Sequence, residues 1–179
     1  MIRNGIKLAV FLTGILFLSV PSVYAETAGE YLQSGNDFLK EGDTIQAIYN
    51  YTQAIDIDPK YAKAYNNRGI AYAQQGYLSP AIADFTMAIA NKPNDAEAYN
   101  NRGHAYTQEL KWPQAIVDYS RAIKINPIYV KAYNNRALAF YNIKEYDKAW
   151  ADVHKVKEIA GVTDPDFIGA LKQVSGRDQ

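Results

Sequence analysis

The chain contains no cysteine. Disulfides and thiolate metal sites are therefore excluded, as is the lipid anchor that bacterial lipoproteins carry on a cysteine, and the fold must be held by packing alone. Histidine is nearly as scarce, with only His104 and His154. Two isolated histidines do not make a metal site, and no glycine-rich phosphate loop or nucleophile elbow accompanies them. The sequence therefore implies no metal, no cofactor and no catalytic residue. It also lacks an excess of positive charge, with 19 Lys and Arg against 19 Asp and Glu. No basic field is present to attract nucleic acid.

One apolar run stands out, from Leu8 to Val20, preceded by Arg3 and Lys7 and followed by Val23-Tyr24-Ala25. A basic start, a short apolar stretch and a small-residue end read as an export signal cut after Ala25. The run is too short to span a bilayer comfortably, which takes about 20 residues; an uncleaved anchor is the alternative. Cleavage would leave a protein of the periplasm or the exterior, with no stable membrane insertion. Its charge is near balance, because only Arg3 and Lys7 are lost with the leader.

The remainder is organised by one period. The segments AYNNRGIAYAQQG, AYNNRGHAYTQEL and AYNNRALAFYNIK begin at Ala64, Ala98 and Ala132, 34 residues apart. The same step joins Tyr31, Tyr65, Tyr99 and Tyr133. It joins Gly35, Gly69, Gly103 and Ala137, then Phe38, Tyr72, Tyr106 and Phe140. It continues through Ala47, Ala81, Ala115 and Ala149, through Ala54, Ala88 and Ala122, and through Pro59, Pro93 and Pro127. Apolar and small residues recur three and four places apart within each unit, as in Tyr65, Gly69, Tyr72 and in Ala81, Phe85, Ala88, the spacing of a helix face. Each unit reads as two antiparallel helices whose small residues admit close backbone approach while aromatics fill the gaps. Gly42 and Gly76 are expected to end first helices, Ser79-Pro80 to start a second one as cap and first turn, and the three prolines to stop second helices.

Aromatic, glycine, aromatic, alanine, aromatic, alanine and proline at this period resemble the tetratricopeptide repeat family. The resemblance implies an all-α, right-handed α-solenoid of helix-turn-helix units at 28–61, 62–95, 96–129 and 130–163. The fourth is divergent, with Ala137 for glycine, Val153 and Val156 for the aromatic and alanine, and Gly161 for proline. A further helix from Asp164-Pro165 to about Val174, within 164–175, is expected to cover the last repeat.

The resemblance also implies a concave groove lined by first helices. Its expected lining is Gln33 and Asn36 from the first copy, and Asn66, Asn67 and Ile70 from the second. The third supplies Asn100, Asn101 and His104, and the fourth Lys131, Asn134, Asn135, Leu138 and Tyr141. An amide both donates and accepts, so Asn67, Asn101 and Asn135 resemble a ladder that holds the backbone of an extended peptide. Equally, these amides could bond to one another or to helix ends. Three contacts of about 0.5 to 1.5 kcal/mol each do not offset the roughly 4 to 15 kcal/mol lost on association. Apolar anchors are required, and Leu39, Ile70, Leu138 and Tyr141 are the candidates. The family's clamp for a chaperone's terminal carboxylate is not expected, since Leu32, Glu97 and Asn101 stand at its basic places.

Arg68, Arg102 and Arg136 precede the glycine place, and Asp84, Asp118 and Asp152 follow each sixteen residues later. An antiparallel hairpin brings such partners alongside, so three partly buried ion pairs are expected, with an anion-binding row as the alternative. The first copy has Ser34 and Asn50 instead. Trp112-Pro113 and Asp56-Ile57-Asp58 read as helix ends rather than ligand sites. The sequence thus points to an adaptor or scaffold of the bacterial cell envelope that grips an extended protein or peptide segment. A self-associating assembly module is the rival, and an enzyme a distant third.

Overall fold

A computed structural model of the protein describes residues 27–161 and 163–176. The export-signal reading of residues 1–25 falls outside them. The described residues form helices only: α1 (Ala28–Glu41), α2 (Thr44–Ile57), α3 (Ala62–Gln74), α4 (Leu78–Asn91), α5 (Ala96–Gln108), α6 (Trp112–Ile125), α7 (Val130–Asn142), α8 (Tyr146–Ala160) and α9 (Pro165–Ser175). Each odd helix packs on the even helix that follows, and each even helix packs on the next odd one. This sequential stacking is an α-solenoid closed by a single extra helix.

The periodic small residues explain the close packing. Ala47, Ala81, Ala115 and Ala149 are all fully buried. At Gly35, Gly69 and Gly103 an added Cβ would lie 2.6, 2.8 and 2.7 Å from the rings of Tyr51, Phe85 and Tyr119. Only glycine lets these rings lie flat on the first helix. In the fourth repeat the partner is Val153, and Ala137 fits opposite it, both buried. Two of the four departures that make this copy look divergent are thus one compensated change.

The turn inside each of the four hairpins closes in the same way. The backbone N–H groups of Asp43, Tyr77, Lys111 and Glu145 each donate to a carbonyl five residues back, on Phe38, Tyr72, Tyr106 and Phe140, at 2.9 Å. This 6→1 bond demands a left-handed residue just before the donor. Gly42 and Gly76 supply it at φ 84° and 80°, but the third and fourth turns use Leu110 and Lys144 at φ 58° and 64°. At the second helices the expectation for Ser79-Pro80 is corrected. Helix α4 starts at Leu78 and its cap position is Tyr77, without a side-chain bond, because the turn's own backbone bonds fix the helix start and Ser79-Pro80 only fill the first turn. The prolines at 59, 93 and 127 lie just past the ends of α2, α4 and α6, after extended or near-extended residues, as a following pyrrolidine requires.

The two ends of the stack are finished differently. Where later first helices bury Ala64, Ala98 and Ala132, and Ala71, Ala105 and Ala139, against the preceding repeat, α1 carries Glu30 and Asp37. Glu30 closes a capping box with Thr27, and Asp37 accepts from Gln33 and Lys40. At the other end α9 lays Leu171 into a cluster with Ala137, Phe140, Ala149, Trp150 and Val153. The Trp150 indole N–H donates to Ser175 Oγ at 3.0 Å, fastening the helix end.

Candidate binding groove

Two polar networks hold the repeats in register. In each of the last three hairpins an arginine fork grips the aspartate opposite. The Nε and Nη2 distances to the two carboxylate oxygens are 2.8 and 2.9 Å for Arg68–Asp84, 2.8 and 2.8 Å for Arg102–Asp118, and 2.8 and 2.7 Å for Arg136–Asp152. Each remaining Nη1 donates backward to a hydroxyl on the previous repeat, Thr52, Thr86 or Ser120, at 3.0, 3.1 and 2.9 Å. The guanidinium groups also lie over Tyr65, Tyr99 and Tyr133. With every arginine nitrogen engaged, the row stitches hairpins together instead of presenting free charge to an anion. The pairing is legible from spacing, and the hydroxyls carry a signal of their own in the 34-residue recurrence of Thr52, Thr86 and Ser120.

The asparagines form the second network. Asn67 Nδ2 donates to Asn36 Oδ1 at 2.7 Å, Asn101 to Asn66 at 3.1 Å, and Asn135 to Asn100 at 3.0 Å. Asn36 also accepts from the Tyr51 hydroxyl at 3.0 Å. Burial pushes that phenol, and the Tyr119 phenol opposite Gly103, up to about 12. Two of the expected lining residues are thereby corrected: Asn66 and Asn100 are 8% and 0% exposed. They sit one helical step off the open face, between first helices, where each accepts from its successor. Asn67, Asn101 and Asn135 remain half-buried at the groove edge. Their amide nitrogens point into the neighbouring repeat. No described residue donates to Oδ1 of Asn101 or Asn135, so these oxygens are what the row offers outward.

The open face contains a hollow of about 280 Å³ walled by three first helices. Ile70, Ala73 and the edge of Phe85 make its apolar floor. Asn101 and His104 come from α5, and Glu97 and Lys131 stand at the N-terminal ends of α5 and α7. Burial and the neighbouring Lys131 lower the His104 pKa, so the imidazole is neutral near pH 7. Neither Glu97 nor Lys131 has an ion-pair partner among the described residues. A second hollow, of about 220 Å³, joins Asn134, Asn135 and Leu138 of α7 to Asp164 and Phe167 of the last helix.

The other expected residues fall outside these hollows. Gln33 is exposed, but its amide donates to Asp37 at 3.0 Å. Tyr141 is taken as an anchor by the protein itself: its ring meets Phe167 edge-on at 5.7 Å and Tyr146 at 6.0 Å. Leu39 packs against the first core cluster. Of the four expected apolar anchors, Ile70 and Leu138 are left to face a ligand. Among the described residues no group of three or more His, Asp and Glu is placed to hold a metal ion. No described helix is long and apolar enough to cross a membrane.

Comparison with known proteins assigns this architecture to a class. Models of the tetratricopeptide repeat match residues 62–95 and 96–129, and a TPR repeat model matches 35–76. Residues 35–129 are thus tetratricopeptide repeats, and the chain is a tetratricopeptide-repeat protein. A 48-residue stretch is 46% identical to the serine/threonine-protein phosphatase T of Schizosaccharomyces pombe, but the match spans only 10% of that protein and 27% of this one. Among solved structures, MamA superposes with a TM-score of 0.73 at 26% identity, over 83% of this chain and 82% of that one. The first such domain of Spaghetti (RPAP3), bound to the HSP90 peptide SRMEEVD, gives 0.64 at 28% identity, over 65% and 93%. PilF of Pseudomonas aeruginosa gives 0.75 at 20% identity, over 83% and 69%, a likeness of fold alone.

Proposed function

We propose that the protein is an adaptor of the bacterial cell envelope, exported by way of residues 1–25, that holds an extended segment of a partner protein in the face formed by its first helices. The observation that carries this reading is the hollow between α3, α5 and α7, where an apolar floor at Ile70 is ringed by polar side chains. A pocket with apolar walls and a few unsatisfied polar groups is what a peptide side chain and its backbone require. Its volume lies near the lower limit of about 300 Å³ for small-molecule sites, which suits a side chain better than a cofactor. The peptide held by the Spaghetti domain supports the same class of ligand. The family's clamp for a terminal carboxylate is not part of this reading, because Leu32, Glu97 and Asn101 stand at its basic places.

Finite ends weigh against the rival reading of open-ended self-assembly. Glu30 and Asp37 place charge where a preceding repeat would need alanine, and α9 covers the far end.

The test is a crosslinking capture from envelope extract by wild type and by an Ile70→Asp, Leu138→Asp variant of matched helicity. Ile70 and Leu138 are chosen over the asparagines, whose loss would loosen the array itself. Partners that appear with wild type and vanish with the variant are expected. Equal recovery by both, or recovery of the protein alone, overturns groove binding.

A further inference from the structure

The hollow beside α9 differs in chemistry from the one around Ile70. Its one charged lining group is an acceptor, the Asp164 carboxylate, and the amides of Asn134 and Asn135 stand beside it. Asp164 caps α9, with Oδ1 accepting from the backbone N–H groups of Asp166 and Phe167 at 2.9 and 3.3 Å. No described residue donates to its Oδ2. Asn135, which lines the hollow, gives its Nδ2 to Asn100, and no described residue donates to its Oδ1. Asp166 adds a second carboxylate in the first turn of α9, which together with Asp164 outweighs the half-positive helix end. No cation lines this hollow. Between the acceptors stand Leu138, 42% exposed, and the ring of Phe167.

We propose that this hollow is a subsite for a cationic side chain, arginine or lysine, of the extended segment held in the groove. The inference rests on the groove reading above. An aliphatic stem lies along Leu138 and Phe167 while its charged head pairs with the free oxygen of Asp164 and with Asn135, the division of labour that long basic side chains favour. The aromatic face adds attraction for the cation. Helix α9 is then a fifth wall of the groove as well as a cover for the last repeat. The two hollows lie about two helix spacings apart, roughly 20 Å. Extended chain covers that in about six residues, so the segment carries an apolar residue and a basic one at that separation.

The test uses fluorescein-labelled alanine-serine dodecapeptides bearing one leucine and, six residues away, arginine, norleucine or glutamate. Binding to the full chain is read by anisotropy, with either peptide polarity. Arginine is expected to bind roughly three- to fivefold more tightly than norleucine, the range of a partly exposed ion pair of about 1 kcal/mol, and glutamate more weakly than both. Asp164→Asn keeps a good helix cap and is expected to erase the arginine preference, bringing the arginine and norleucine peptides to equal affinity. Peptides that bind without an arginine preference, or a preference that survives Asp164→Asn, overturn the subsite and leave the groove standing. Failure of every peptide to bind, with Ile70→Asp making no difference, overturns both.

Discussion

Helices α1 and α5 are the first helices of the first and third repeats, yet they treat their surroundings in opposite ways. On the side facing the preceding repeat, α5 buries Ala98 and Ala105, each 1% exposed, and α1 shows Glu30 and Asp37 to water. On the side facing its own second helix, α5 carries Arg102 locked to Asp118, whereas α1 has Ser34 opposite Asn50. The missing arginine has a physical reason. Among the described residues no repeat precedes α1 to offer its Nη1 the hydroxyl that Thr52, Thr86 and Ser120 supply later, and a guanidinium left without that partner gains less than its desolvation costs. The interior of the stack thus uses charge to bind repeat to repeat, and its N-terminal end uses charge to stop the stack.

The largest effect that could break this comparison comes from the ion pair. Asp118→Ala strands the Arg102 guanidinium, whose side chain is 18% exposed, and is expected to cost about 3 to 5 kcal/mol. Asn50→Ala, the corresponding change in the first hairpin, removes a bond to the Gln46 carbonyl and is expected to cost about 1 kcal/mol. Urea midpoints of the two variants check this. Equal losses would mean that the arginine row is no more than a surface decoration.

Next in size is the contact between glycine and ring. Gly103→Ala places a methyl 2.7 Å from Tyr119 and is expected to cost about 1 to 3 kcal/mol through overpacking, against the roughly 1 kcal/mol that alanine gains over glycine in a helix. The fourth repeat shows the remedy, Ala137 opposite Val153. In a double-mutant cycle the alanine should be better tolerated beside Tyr119→Val than beside Tyr119, with a coupling of about 1 kcal/mol or more. Additive losses would show that the valine is unrelated to the alanine.

These examples show where the sequence could be read and where it could not. Helix pairs, buried alanines and the arginine-aspartate pairs follow from a single period, because residues at one phase of a repeat meet the same environment in each copy. The link between Ala137 and Val153 was missed for the same reason: compared position by position, each is a departure, and only the contact between them makes them one. The asparagine row was half legible. Its recurrence marked it, but whether an amide faces a ligand or the next repeat depends on a rotation of one helical step, which buries Asn66 and Asn100 while leaving Asn67 and Asn101 at the edge. The ring contacts of Tyr141 were not legible, because its partners, Tyr146 and Phe167, come from the start of α8 and from the last helix, which the repeat does not specify.

The smallest expected effect lies in the turns and separates the first two hairpins from the last two. All four turns close with the same bond at 2.9 Å, so the backbone shape is held constant while the residue that must accept positive φ is not. Glycine takes it without steric cost at 42 and 76, whereas Leu110 and Lys144 hold it with a Cβ, a conformation that costs an L-residue roughly 1 to 2 kcal/mol. Leu110→Gly relieves that strain but adds freedom to the unfolded chain, which takes back part of the gain. The net expectation is a stabilisation of about 0.5 to 1 kcal/mol, read as a rise in thermal midpoint, and the same for Lys144→Gly. Leu110 is 69% exposed, so the substitution removes no core contact that could mask the result. A fall in midpoint would mean that the leucine stabilises its turn in a way backbone geometry does not reveal, and that the later turns are built on a different principle from the first two.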